Sequence, residues 1–313
     1  MIKQYRTDDS ILHEISDYED GCWIQMIKPS IAESQQIAAE FDIDIADVRA
    51  ALDDEESSRI ELEDGYTLIL VDIPTREVRN ERDTYTTIPL GIILCDEVII
   101  TVCAEDTSVL QYFTEHRVRD FSTKKRMRFI YQIMMQASSL YQTNLRIIDK
   151  RRQEIEEKIS DNNRDPDLIG MHELESTLVY FATSLRANGV VLDRLSRYTR
   201  LKQYPEDREL LDDVIVENKQ AIEMTSIYRD IINGTSELLS TIINNRLNST
   251  MKFLTSITLV MAIPTIISGL FGMNVSTDWM PFSNMPYGFG IICALTLIIC
   301  IVAFFVLRKR KLL

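Results

Sequence analysis

Two stretches near the C-terminus limit what this chain can fold into. Residues 253–271 form a run of 19 without a charge, and residues 289–307 form another 19. A bilayer core of about 30 Å is crossed by about 20 residues of helix, so each run is long enough to span a membrane. The competing reading, two buried helices of a soluble core, fits poorly, because uncharged runs of this length are rare in soluble domains. The expectation is an integral membrane protein with two C-terminal spans.

Lys and Arg set its orientation. Arg246 and Lys252 precede the first span, Arg308-Lys309-Arg310-Lys311 follow the second, and no Lys or Arg lies between residues 253 and 307. The positive-inside rule then predicts a multi-pass protein of the cell membrane with both termini cytoplasmic and the 275–288 loop outside. The N-terminal ten residues, MIKQYRTDDS, have no apolar core or small-residue cleavage site, so no secretory signal is expected there. Cys22, Cys95 and Cys103 match no zinc or redox spacing, and Cys293 and Cys300 lie within the second span.

The charge is unevenly placed. Residues 1–119 hold 10 Lys+Arg and 27 Asp+Glu, a balance of −17, whereas 120–313 hold 24 and 21. An acidic field disfavours nucleic acid and favours cations, although ordinary solubility of an acidic domain explains the same numbers.

Up to about residue 121 the chain mixes short β patterns at 22–27, 59–63, 66–72, 84–95 and 98–102 with helical ones at 30–40 and 44–52. This predicts an α+β domain. From residue 124 the strand signals stop. Helical spacing runs over 124–159, breaks at 161–166, and resumes over about 167–203, predicting an antiparallel helix pair. A third helical pattern starts at Glu206-Asp207 and reaches the first span with Gly234 as its only weak point. If unbroken to residue 271 it would measure roughly 99 Å, and so long an apolar stripe needs neighbours, most simply copies of itself. The expected segments are 1–121, 122–204, a stalk helix over 205–252, spans over 253–274 and 289–307, the 275–288 loop, and a basic tail over 308–313.

Within and just before the first span, small or polar residues recur at Asn248, Met251, Thr255, Thr258, Ala262, Thr265, Gly269 and Gly272. Their steps alternate between three and four, the signature of one helix face. Such a stripe either lets helices approach closely in lipid or lines a narrow polar path. The second span has no such stripe and reads as an outer helix. Two spans cannot enclose a path, so a pore requires an oligomer.

The first span ends in Gly272-Met273-Asn274, led by Pro264-Thr265-Ile266-Ile267-Ser268-Gly269-Leu270-Phe271. This run, placed at the outer end of the first of two C-terminal spans behind an acidic α+β domain and a long helix, resembles the CorA family of magnesium transport proteins and their Gly-Met-Asn signature. The resemblance implies a funnel-shaped homopentamer of long stalk helices whose first spans form a central pore. It implies that Asn248, Met251, Leu254, Thr258, Ala262 and Thr265 face the pore, Leu254 replacing Thr255 of the strict repeat, with Met251 and Leu254 as a hydrophobic constriction that blocks ions by dewetting.

Mg²⁺ holds its water shell tightly, so a protein selects it more easily hydrated than stripped. The resemblance therefore implies that five Asn274 side-chain oxygens and nearby carbonyls accept hydrogen bonds from the ion's waters. Gly272 lets the backbone approach and Met273 braces the loop. A helix C-cap is the plainer role for Asn274, compatible with the first. The first span has no Asp or Glu, as suits a still-hydrated ion.

Many members carry Met-Pro-Glu-Leu in the outer loop, whereas this chain has Met280-Pro281-Phe282-Ser283, leaving Asp278 as the loop's only charge and a candidate substitute for cation attraction. Trp279 and Tyr287 read as interfacial anchors. Relatives are gated by cytoplasmic Mg²⁺ held between the acidic domain and a neighbour's stalk, which points to Asp213, with Asp212, and to Asp53-Asp54-Glu55-Glu56; the alternative is solvated charges beside a helix N-terminus.

Three functions remain: a Mg²⁺ channel, a related transporter for Zn²⁺, Co²⁺ or Ni²⁺, and a membrane-anchored structural or signalling protein. An enzyme is not expected. His13, His116 and His172 are isolated, His172-Glu173-Leu174-Glu175 lacks the second histidine of a zinc protease helix, and no glycine-rich phosphate loop suggests ATP-driven pumping.

Overall fold

The computed structural model describes residues 1–8, 11–79, 82–160, 168–198, 204–274, 280–282 and 285–310. The chain divides into two compact units, Met1–Ser236 and Glu237–Leu313.

The first unit is built on one sheet of seven strands: β1 (Ile2–Asp8), β2 (Ile11–Ile15), β3 (Trp23–Ile27), β4 (Arg59–Leu62), β5 (Tyr66–Arg79), β6 (Arg82–Cys95) and β7 (Ile99–Cys103). Their order is β2-β1-β3-β7-β6-β5-β4. Neighbours are antiparallel except β3 and β7, which run parallel. Alternation sorts the side chains to two cores. Ile69, Val71, Ile73, Leu90 and Ile92 face one, and Leu68, Leu70, Ile93, Ile100 and Val102 face the other. Because both faces are buried, the central strands read as nearly continuous apolar runs.

The second core is covered by α1 (Ile31–Glu40), α2 (Ile45–Arg49) and a 3-10 turn at Ala50–Leu52. Ser30 and Glu33 form a reciprocal capping box at the start of α1, which satisfies two otherwise orphaned N–H groups. Gly91 makes room for the turn, since a Cβ there would stand 3.1 Å from that of Ala51. The first core lies beneath α3 (Ser108–Thr114), α4 (Arg126–Ser160), α5 (Leu168–Ser196) and the start of α6 (Pro205–Phe271). Helices α4 and α5 are antiparallel, because Tyr141 stacks edge-on against Phe181 at 4.9 Å while Arg151 lies 3.9 Å from Glu173. Asn218 of α6 donates to the Leu185 carbonyl of α5 at 3.1 Å, beside Gly189.

The sequence reading omits β1, β2 and α3. Strand β1 buries only Tyr5 and Thr7, so its pattern lacks an apolar face, and α3 has seven residues, too few to show a helical period. The strand expected to stop at residue 72 runs on through Pro74 to Arg79. Strand β4 pairs no further than Leu70, so beyond it β5 is an edge, where a missing N–H costs little. Helix α5 ends at Ser196, short of the expected 203; residues 199–203 and the expected break at 161–166 lie outside the described residues.

The second unit holds the end of α6 and α7 (Gly288–Lys309). Both helices are long and apolar enough to cross a membrane, and almost none of that apolar surface is buried within the chain. Helix α6 passes Gly234 and Pro264 without ending. Pro264 has no N–H for the carbonyl of Val260 four residues earlier, and the Cys300 thiol of α7 lies 3.9 Å from that oxygen.

Candidate functional site

Within the second unit, α6 has two opposed faces. Ser256 is buried, Val260, Pro264 and Ile267 are half-buried, and at about 100° per residue they share one side. That side meets α7: Val260 approaches Cys300, and Pro264 and Ile267 line a cavity of about 850 Å³ with Ile292 and Thr296. The side roughly 180° away carries Met251, Leu254, Thr258, Thr265 and Gly269, all exposed, with Ala262 half-buried. Asn248 is exposed at its start. Thr255 lines a groove of about 300 Å³ with Asn248, Met251, Ser256, Leu259 and Leu307, while Leu254 is 64% exposed.

The hydroxyls on the exposed face are polarised by the helix. Thr258 Oγ1 donates to the Leu254 carbonyl at 2.8 Å, and Thr265 Oγ1 to the Met261 carbonyl at 3.1 Å. With its proton committed, each oxygen is left as an acceptor. A file of acceptors suits the protons of a cation's water shell and offers nothing to an anion.

Helix α6 ends at Phe271. The Gly272 N–H donates to the Ser268 carbonyl at 2.9 Å and the Met273 N–H to the Leu270 carbonyl at 3.5 Å. Asn274 follows, exposed, and is not among the described residues with positive φ. The end is therefore closed by backbone N–H groups, without Asn274 in the left-handed cap conformation. Gly272 has no positive φ either; what it supplies is room, since a Cβ would stand 3.1 Å from the Ser268 oxygen. In the loop beyond, Phe282 has φ 64° and its carbonyl packs on Gly288, where any Cβ would overlap it. Sequence reasoning treated Phe282 only as a departure from the family loop; the glycine six residues on was the available signal. Asp278, Trp279 and Ser283 lie outside the described residues.

The acidic candidates belong to the first unit. Asp53, Asp54 and Glu55 are exposed after the 3-10 turn, and Asp212 and Asp213 are exposed on α6. Asp53 accepts the Glu55 N–H at 3.1 Å, and Glu56 is paired with Arg59. No three His, Cys, Asp or Glu side chains among the described residues of one chain converge on a metal position, so these residues do not form a site by themselves. Burial pushes the thiols of Cys22, Cys95 and Cys103 up to about 11, which keeps them protonated and weakly nucleophilic at neutral pH.

Comparisons with known proteins agree over nearly the whole chain. Residues 18–309 match the family model described as CorA-like Mg²⁺ transporter protein. The cobalt/magnesium transport protein CorA of Methanocaldococcus jannaschii is 29% identical over 308 residues, covering 95% of this chain and 93% of that protein. The magnesium transport protein CorA of Wolinella succinogenes is 22% identical, covering 92% and 90%. Among solved structures, the complete CorA magnesium transporter of M. jannaschii superposes with a TM-score of 0.82 at 24% identity, over 99% of this chain and 98% of that one. Full-length CmaX superposes with a TM-score of 0.71 at 16% identity, over 98% and 96%. With its mixed-sheet domain, long helices and two apolar C-terminal helices, this membrane protein belongs to the CorA-like Mg²⁺ transporter family.

Proposed function

We propose that the chain is one subunit of a homopentameric channel through which hydrated Mg²⁺ crosses the cell membrane passively. The observation that carries this reading is the exposed face of α6: small and acceptor-bearing residues turned away from α7 and leading to Gly272-Met273-Asn274. A single chain leaves that face uncovered, and a ring of first spans turns it into a lumen. The ion keeps its waters, which donate to Asn274 and backbone oxygens at the mouth and then to the hydroxyl oxygens of Thr265 and Thr258. Met251 and Leu254 form the dry constriction below. The driving force is the membrane potential, worth about 2.3 kcal/mol per charge per 100 mV. Both termini are cytoplasmic, and the 275–288 loop, with Asp278 as its cation-attracting charge, is outside.

Cytoplasmic Mg²⁺ gates the channel. Asp212 and Asp213 of one subunit and the Asp53, Asp54, Glu55 cluster of a neighbour offer oxygen acceptors with no positive partner among the described residues of their own chain. A cation between them offsets their repulsion and holds the closed state, and its loss frees the open one.

Co²⁺ is a second cargo of this reading, favoured by the name of the M. jannaschii relative; Zn²⁺ and Ni²⁺ are tested beside it. The test is Mg²⁺ uptake by a magnesium-starved host expressing wild type or Asn274→Ala. Uptake is expected to fall at least about tenfold, the loss of about 1.4 kcal/mol of selective binding. Equal flux at equal expression overturns the reading, and competition with Co²⁺, Ni²⁺ and Zn²⁺ ranks the metals.

A further inference from the structure

The hairpin of β5 and β6 overshoots the sheet. Strand β7 pairs with β6 no further than Leu90, opposite Cys103, yet β5 and β6 remain paired from there to Arg79 and Arg82. Beneath the overhang, against α4, lies a cavity of about 390 Å³ bordered by Thr75, Arg76, Tyr85, Glu105, Asp106 and Asn144.

Three features give it a chemistry. Its two carboxylates are only half used: Glu105 accepts from Thr75 Oγ1 and Asp106 from Gln111 Nε2 at 3.0 Å, each through one oxygen. The bordering cation is already neutralised, since Arg76 lies 2.6 Å from Asp83. Asn144 of α4 is 6% exposed, borders the cavity, and has no hydrogen-bond partner among the described residues. Its amide is not sealed from solvent; it borders the cavity, with donors and an acceptor to offer to what the cavity holds.

We propose that this cavity is a binding site for a hydrated divalent cation, held by Glu105 and Asp106 from the end of β7 and by Asn144 from α4. The net negative lining selects the sign of charge. The volume accommodates the shell, since six waters at about 30 Å³ each take about 180 Å³. Among the described residues no three acidic, His or Cys side chains converge closely enough to strip the ion, so the contacts run through its waters. One such ion ties the overhanging hairpin to α4. The site lies within the first unit and uses none of the transport or gating residues, so it stands or falls independently of the transport reading.

Mn²⁺ binding to the full-length protein in detergent, counted from the spin resonance of the free ion, tests it. The Glu105→Gln/Asp106→Asn double variant is expected to lose one bound Mn²⁺ per chain, and Asn144→Leu, which keeps every charge, to bind that ion about tenfold or more weakly. Mg²⁺ is expected to compete, and Asp212→Asn/Asp213→Asn to retain the ion. Wild-type stoichiometry and affinity in the first two variants, with thermal midpoints matching wild type in the absence of metal, overturns the site. If the double variant does not fold, wild-type binding by Asn144→Leu suffices to overturn it. Displacement by spermidine and not by Mg²⁺ also overturns it, assigning the cavity to an organic amine.

Discussion

Asn188 shows how one side chain completes a sheet. Beyond the end of β4, Asp72 of β5 has no strand on its outer side, and Asn188 of α5 takes that place. Its Oδ1 accepts the Asp72 N–H at 2.9 Å and its Nδ2 donates to the Asp72 carbonyl at 2.7 Å. Asn188→Leu leaves the Asp72 N–H without this partner, at about 1–3 kcal/mol, while the carbonyl keeps the Tyr141 hydroxyl at 3.1 Å; denaturant unfolding is expected to show a loss of about 1–3 kcal/mol, and an unchanged midpoint refutes the role. The Asp72 carboxyl beside it is raised by burial, against hydrogen bonds from Ser184 and Ser58 that pull it down. Its folded form therefore holds a proton that the unfolded chain releases at the ordinary value of about 4. Stability from this group falls as pH rises from that value through the raised folded one, and is level above it. Relative to wild type, Asp72→Asn is expected to gain thermal midpoint as pH rises above about 4; a pH-independent difference contradicts this.

At the scale of elements, α6 joins the two chemistries. Its first-unit part carries Asp212 and Asp213, and along it Val216, Ile227 and Ile231 stay exposed, an apolar stripe that one chain leaves uncovered. If those aspartates hold the gating ion, Asp213→Ala channels in a patch are expected to need at least about tenfold more cytoplasmic Mg²⁺ for half-inhibition, as loss of one of few charged ligands implies. Inhibition at the wild-type concentration removes Asp213 from the mechanism. The helical runs were legible because each repeats its apolar period over many turns. The elements that went unread lack that signal: β1 is half-buried and polar, α3 is two turns long, and β5 passes a proline that only its position beyond β4 makes harmless.

At the scale of the molecule, the exposed polar face of the second unit and the exposed apolar stripe of the first ask for the same remedy, further copies. Native mass spectrometry of the detergent-solubilised protein is expected to give five chains per particle, and a monomer or dimer as the largest species excludes the lumen. The sequence alone determined the two spans, the long helix and the face ending at Gly272-Met273-Asn274, because charge-free length and helical period are properties of consecutive residues. Only the tertiary structure decided which side of α6 meets α7, that Gly272 supplies space and not a turn, and that Glu105, Asp106 and Asn144 share one cavity. Those depend on atoms far apart in the chain, and no local pattern encodes which distant side chains close packing brings together.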